Sequence, residues 1–427
     1  ALLLLVATCI FPSIHAFVPP TRVAKPQSYI YLKESLKDVE NKAESASVAD
    51  EVVDRMLIES LEKEFDYEGR MRSFRGQTFR CGFVSILGAP NMGKSTLMNA
   101  LLKEDLCIAT RRPQTTRHSI LGLLTSQDTQ LCFLDTPGII EDPAYKMQEG
   151  MMEAVRGAFR DADVMLVVTD LFSTPFPDDK LFGKVQRCNK PTIVVINKVD
   201  LEGKVKINSE DEEDMEMRTM TVPEAVATWR ALLPDALAII PASASKGEDD
   251  QGVQALRTLL LGGPDVPAAF RALGRPIPGT FCEGVKFVTN DVAKSILPVS
   301  PPLFDEDALT DRSERFFTSE IIRAELFRKL KKELPYCCEV RIVEFKEPKH
   351  TDKKRLIRIK AVVVVERESQ VSIVVGTKGK AIKAVGVDAR KKLEEFLQEQ
   401  VHLDLTVKVD KDWRNNESKL KDFGYLK

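Results

Sequence analysis

Eight residues early in the chain have the types and spacing of a phosphate cradle. Gly88-Ala-Pro-Asn-Met-Gly-Lys-Ser95 follows an apolar run, Cys81–Leu87, and opens an apolar-periodic one, Thr96–Leu102. A strand, a G-x-x-x-x-G-K-S loop and a helix in that order make a P-loop. Gly88 and Gly93 let backbone N–H groups around Asn91 and Met92 close on phosphate oxygens. The helix N-terminus at Ser95 and Thr96 adds donors and a positive dipole end. Lys94 is placed to reach the β- and γ-phosphates, and the Ser95 hydroxyl to bind Mg²⁺.

Further along, Leu131–Leu134 runs into Asp135-Thr136-Pro137-Gly138. An aspartate ending a buried strand holds Mg²⁺ through water, and the Gly138 N–H senses the γ-phosphate. The segment Ile139–Met152 is expected to be a mobile switch. Between the P-loop helix and a strand at Ser119–Leu124 lies the polar stretch Arg111–His118, where either Thr115 or Thr116 completes the Mg²⁺ shell; spacing does not choose between them. After the apolar run Thr192–Ile196 comes Asn197-Lys198-Val-Asp200. The Asp200 carboxylate accepts hydrogen bonds from guanine N1–H and its amine, whereas adenine would leave it unpaired. The Lys198 stem packs along the base plane. In Pro241–Gly247, with Ser243, Ala244 and Ser245, the Ala244 N–H is expected to meet guanine O6. The nucleotide is therefore GTP, and the reaction its hydrolysis to GDP and phosphate.

These motifs, spaced by strand–helix units, require an α/β domain. Its sheet is mostly parallel, with helices on both faces and the nucleotide at the strand C-termini. The acidic run Ser209–Asp214 reads as a solvated insertion.

The second half begins with a helical pattern through Phe316, Ile321, Ile322, Leu326 and Leu330. Strands at Cys337–Glu344 and Leu356–Val365 follow, then Val371–Val375 and Gly376-Thr377-Lys378-Gly379-Lys380. A helix at Ala381–Gln398 and a strand at His402–Val409 complete it. A G-x-x-G loop between helices, in this element order, is how an α+β type II KH domain clamps a nucleic-acid backbone. Lys378, Lys380, Lys383 and Arg390 supply the charge for RNA phosphates.

Composition sets outer bounds. Hydrophobic residues at 43% and charged residues at 30% describe a folded globular chain. The eight cysteines form no C-x-x-C pair, so reduced thiols and no zinc or disulfide framework are expected. Ala1–Ile10 is nearly all apolar and Pro12–Ala16 breaks it, matching a signal-peptide h-region. Phe17 then opens a stretch poor in acids, a two-part presequence like those of algae with secondary plastids. The expected divisions are a presequence at 1–32, a charged lead-in at 33–78, the GTPase domain at 79–262, a Pro/Gly-rich linker or insertion at 263–308, and the KH domain at 309–427.

Both halves together resemble the Era family of ribosome-associated GTPases. The resemblance rests on Ala89–Asn99, Pro113–His118, Asp311–Phe316, Ser319–Arg323, Glu333–Tyr336, Val375–Gly379 and Val401–Leu403. It spans about Gly82–Lys427 apart from the insertions near 203–222 and 262–302. It implies binding near the 3′ end of small-subunit rRNA and help in maturing that subunit, with GTP as the switch. It further implies a monomer with no DNA partner and at most peripheral membrane contact, while the two-part presequence points to residence in the plastid stroma or, alternatively, the mitochondrial matrix. Pro137-Gly138-Ile139 offers no glutamine to orient the attacking water. The P-loop also resembles those in which an asparagine, here Asn91, helps bind a catalytic K⁺. Two other classes stay open: a GTPase of tRNA modification or a membrane process whose KH-like half docks protein, and an RNA-binding protein with a decayed nucleotide site.

Overall fold

A computed structural model describes residues 79–110, 112–172, 179–203, 220–262, 296–348 and 355–426. The expected presequence, the lead-in up to residue 78, the acidic run at 209–214 and residues 263–295 lie outside these.

The first half contains β1 (Arg80–Leu87), α1 (Lys94–Leu102), β2 (Ile120–Thr125), β3 (Thr129–Asp135), α2 (Lys146–Asp161) and β4 (Val164–Asp170). It continues with α3 (Asp179–Arg187), β5 (Thr192–Asn197), α4 (Val222–Leu232), β6 (Ala238–Pro241) and α5 (Gln251–Leu261). The six strands lie in the order β2-β3-β1-β4-β5-β6. Only the edge pair β2–β3 is antiparallel. β4 and β5 are buried at every residue, as strands covered on both faces must be. One face packs Leu97 and Leu101 of α1 and Leu256 and Leu259 of α5 against Val84, Leu166 and Val195. The other packs Met151 and Val155 of α2 and Val226 and Trp229 of α4 against Val167 and Ile196. The strand order switches sides at β1, with β3 on one flank and β4 on the other, so a crevice opens beyond its C-terminus, where the P-loop begins.

The segment Ile139–Met152, expected as a switch, is helical from Lys146 onward, where Met147, Met151 and Met152 supply an apolar stripe that is buried. One expectation needs correction here. The linker 263–308 is packed structure over its last part. Ile296 and Leu297 are buried in the sheet core, the Leu297 carbonyl accepts from Arg80 Nη1 at 2.7 Å, and Gln130 Oε1 accepts from the Leu303 and Phe304 amides.

The second half contains α6 (Glu314–Lys329), the short α7 (Leu334–Cys337), β7 (Glu339–Lys346), β8 (Leu356–Val365), α8 (Glu368–Val375), α9 (Lys380–Leu397), β9 (Gln400–Val409) and α10 (Glu417–Asp422). β8 pairs antiparallel with β7 and parallel with β9. Ile322 and Leu326 of α6 and Val385, Ala389 and Leu393 of α9 cover one face of this sheet, over Ile359, Ala361 and Val363. The fold is a P-loop GTPase domain followed by a KH domain.

The chain does not end at β9. Residues 410–426 return to the first half, where Trp413 and Leu420 are fully buried beside α2. The Met147 amide donates to Arg414 O at 3.0 Å. A Cβ on Gly150 would lie 2.7 Å from Tyr425 O, so this face of α2 admits only glycine at that distance.

Candidate functional site

The P-loop geometry is forced by close approach. A Cβ on Gly88 would sit 2.3 Å from Val168 O, and one on Gly93 2.3 Å from Asn197 Nδ2. Gly93 and Asn91 are both left-handed, at φ 88° and 66°, which the first adopts freely and the second tolerates. Lys94 is buried, with Nζ donating to Gly88 O (3.0 Å) and Ala89 O (2.9 Å). Burial, and then the Lys198 charge, outweigh Asp135 and pull its pKa down to about 8. Met92 turns its side chain into the core and leaves its backbone to the loop.

Beside Lys94 stands a polar cluster from three elements. Ser95 Oγ donates to Asp135 Oδ2 at 2.6 Å and shares a 2.9 Å hydrogen bond with Thr116 Oγ1. Asp135 Oδ1 is buried with no hydrogen-bond partner, the weakly donating Cys107 thiol being nearby. Burial raises the Asp135 pKa despite Ser95 and Lys94. A buried carboxylate oxygen without a donor, next to two hydroxyls, fits a hard divalent cation with oxygen ligands. Thr116 belongs to this set and Thr115 does not: Thr115 bonds the Thr110 hydroxyl and donates to Arg112 O at 2.9 Å. Thr136, expected at the nucleotide, is turned inward, its hydroxyl donating to Ile86 O at 2.7 Å. Pro137 is buried with it. Gly138 lines the cleft, and a Cβ there would meet Pro90 Cα at 2.7 Å.

The base-recognition residues form a frame tied to the P-loop. Asn197 Nδ2 donates to Met92 O (2.8 Å), and Asn197 Oδ1 accepts from the Ala244 N–H (2.9 Å). The Ala244 amide, expected on guanine O6, therefore has an internal partner, and Asn197 acts as a brace. Lys198 is left-handed at φ 61°, and its ammonium binds Asn91 O (2.6 Å) and Asp170 Oδ2 (2.8 Å) rather than standing free along a base. Asp200 accepts from the Ser243 hydroxyl, which also contacts Ser245 Oγ at 3.3 Å. A cleft of about 660 Å³ lies between the P-loop and the segment leading to Thr116, with Thr96, Asn91 and Lys198 on its wall; Asp200 and Ser243 are not among the residues lining it. That volume suits a nucleotide.

The stretch after Thr116 is where the two halves meet. Arg117 is 2% exposed. Its guanidinium donates to Cys338 O (2.8 Å), Glu339 Oε2 (3.1 Å), Pro335 O (3.1 Å) and Tyr336 O (3.2 Å). Burial opposes its charge, but Tyr425 and Glu339 outweigh burial and raise its pKa. Glu339 also accepts from the Tyr425 hydroxyl, and His118 stacks on the Tyr425 ring at 4.5 Å. Burial, reinforced by Arg323, pushes His118 down to about 3, so it is neutral near pH 7. Tyr425 thus touches the residues just past Thr116 and also packs on α2. Sequence reasoning missed this tail contact; the available signal was Trp413, Phe423 and Tyr425 in an otherwise charged segment.

At the other end of the second half, Gly376, Lys378 and Gly379 are all left-handed, at φ 72°, 54° and 73°. A Cβ on Gly376 would meet the Ala381 Cβ at 2.6 Å. The Gly376 and Gly379 N–H groups bond internally, to Ser372 O (2.9 Å) and Gly376 O (3.0 Å), while Thr377, Lys378, Lys380, Lys383 and Arg390 are all exposed. Lys383 and Arg390, seven residues apart, share one face of α9. The helix after the loop runs for 18 residues, Lys380–Leu397.

The family described as 50S ribosome-binding GTPase matches residues 83–198, and the KH domain family matches 333–414. GTPase Era of Xylella fastidiosa is 34% identical over 81% of this chain and 98% of its own length; that of Geotalea daltonii is 33% identical over 82% and 99%. A variant of Aquifex aeolicus Era bound to GDP and aluminium fluoride superposes with a TM-score of 0.63 at 30% identity, covering 82% of this chain and all of that one. Era in complex with MgGDPNP and nucleotides 1506–1542 of 16S ribosomal RNA gives the same values. The phosphate cradle, the KH loop and relatives matched along nearly their whole length agree: the chain is a GTPase and belongs to the Era family.

Proposed function

We propose that this GTPase binds small-subunit rRNA near its 3′ end through the Gly376–Lys380 loop and α9, and assists maturation of the small ribosomal subunit. The observation that carries this reading is the Gly376-Thr377-Lys378-Gly379 loop, left-handed at Gly376, Lys378 and Gly379 and flanked by exposed lysines, in a chain that superposes along most of its length on an Era bound to that RNA region. Ser95, Thr116 and Asp135 would hold Mg²⁺, which would supply charge to neutralise the polyphosphate. Asn91 at the rim would help hold a K⁺ ion. GTP orders Thr116, Arg117 and Gly138, and Arg117 with Tyr425 passes that order to the KH half. The protein works as a monomer on RNA rather than DNA, with membrane contact at most peripheral; among the described residues no helix is long and apolar enough to cross a membrane. The apolar run at 1–10 and the Phe17 stretch support a plastid address, the mitochondrial matrix being the alternative.

The test is fluorescence anisotropy with an RNA oligonucleotide of the small-subunit 3′ end. Lys378→Glu/Lys380→Glu is expected to weaken binding by at least about tenfold and lower the salt slope by about 1.4, with GTP hydrolysis intact. RNA affinity unchanged by charge reversal would leave the KH half as a protein dock.

A further inference from the structure

We propose that Arg328, carried by the KH half, is a phosphate-binding residue of the nucleotide cleft, positioned there by Glu325. This inference rests on GTP occupying that cleft. α6 is capped at Ser313, whose hydroxyl accepts from the Phe316 amide, and its last turn brings Phe327 and Arg328 onto the cleft wall with Lys94, Ser95 and Thr116. Phe327 fixes that turn: it is fully buried, and the Arg117 guanidinium lies 5.4 Å from its ring centre.

The cleft wall carries four cationic side chains, Lys94, Arg112, Lys198 and Arg328, and no carboxylate among the residues lining it. Such a lining suits a polyanion. Lys94 and Lys198 belong to the nucleotide motifs and Arg112 to the segment before Thr116. Arg328 arrives from the other half of the chain, and no motif predicts it.

Its setting is that of a residue free to exchange partners. Arg328 Nη1 bonds Glu325 Oε1, one turn back on α6, and the Glu325 side chain is only 3% exposed. Lys392 of α9 binds the same Oε1 at 2.6 Å. Lys392 alone therefore neutralises the buried carboxylate when Arg328 turns toward phosphate. The Arg328 side chain is 39% exposed, and its planar fork matches a pair of phosphate oxygens. Because α6 opens the KH half, nucleotide affinity then depends on how that half is docked.

The experiment measures dissociation constants of fluorescent GTP and GDP analogues on the full chain at several KCl concentrations. Arg328→Gln is expected to weaken GTP binding about five- to tenfold and flatten its salt dependence. Arg328→Lys should recover part of the loss. Lys329→Gln, which removes the neighbouring cation of α6, paired with Asp388 and not on the cleft wall, should stay within about twofold of wild type. An Arg328→Gln affinity within twofold of wild type overturns the inference, and so does a Lys329→Gln loss equal to that of Arg328→Gln, which marks a general charge effect. Failure of the wild-type protein to bind GTP would instead overturn the assignment of the cleft itself.

Discussion

Arg117→Met tests the joint between the nucleotide site and the KH half. The substitution keeps an unbranched stem over Phe327 but removes four hydrogen bonds, one of them to Glu339, whose side chain is 5% exposed. Removing one partner of a buried ion pair costs about 3–5 kcal/mol, because the other charge is left uncompensated. Tyr425 still donates to Glu339, and Arg323 still helps hold the Glu339 pKa below the usual carboxylate range against its burial. The lower end, about 3 kcal/mol, is therefore expected. Glu339→Gln alone leaves the Arg117 charge buried, with three carbonyls to bind. The double variant buries neither charge and should recover about 2 kcal/mol relative to the sum of the singles. Urea unfolding followed by Trp413 fluorescence in a Trp229→Phe background reads this joint, since the Trp413 Nε1–H donates to Cys337 O at 3.2 Å beside it. A loss below about 1 kcal/mol for Arg117→Met, or strict additivity in the cycle, refutes the reasoning.

Three further outcomes follow from the site. Thr116→Ala should lower GTP turnover about a hundredfold by removing a cation ligand, and Thr115→Ala less than about threefold, measured by phosphate release at saturating Mg²⁺. Hydrolysis should run faster in K⁺ than in Na⁺, and Asn91→Ala should erase the difference; equal wild-type rates in the two salts would remove K⁺ from the account. For His118, burial and the Arg323 charge lower the pKa to about 3 from its ordinary value of 6.5. The unfolded chain therefore binds the extra proton between these values, and stability is lost as pH falls below 6.5 toward 3. His118 keeps part of its surface in solvent, so the loss from pH 8 to pH 5 should be about 1–2 kcal/mol by denaturant titration. His118→Phe should remove that component.

The parts read correctly from sequence are those that a few consecutive residues dictate. The P-loop, the Asn197–Asp200 turn and Gly376–Gly379 each impose a backbone path by themselves, and the strands leading to them are apolar runs of unmistakable length. What escaped reading depends on distance. Thr115 and Thr116 are equivalent in spacing, and only the path of residues 112–116 gives Ser95 to the second. Arg117 reads as one more basic loop residue, although its partners stand more than 200 positions away. Tyr425 and Trp413 lie past the last KH strand, where no periodicity announces burial. Ala244 and Lys198 were assigned to the base from motif alone, and their internal hydrogen bonds emerge only when the P-loop and the two base loops are brought together.

The central claim, a GTP-dependent contact with the 3′ end of small-subunit rRNA, is tested most directly by crosslinking tagged protein in its native cells and sequencing the attached RNA. Reads concentrated at the 3′ end of plastid small-subunit rRNA are the predicted result, and the same peak on mitochondrial rRNA would move the address but keep the role. No enrichment over a Gly379→Asp control would contradict the account.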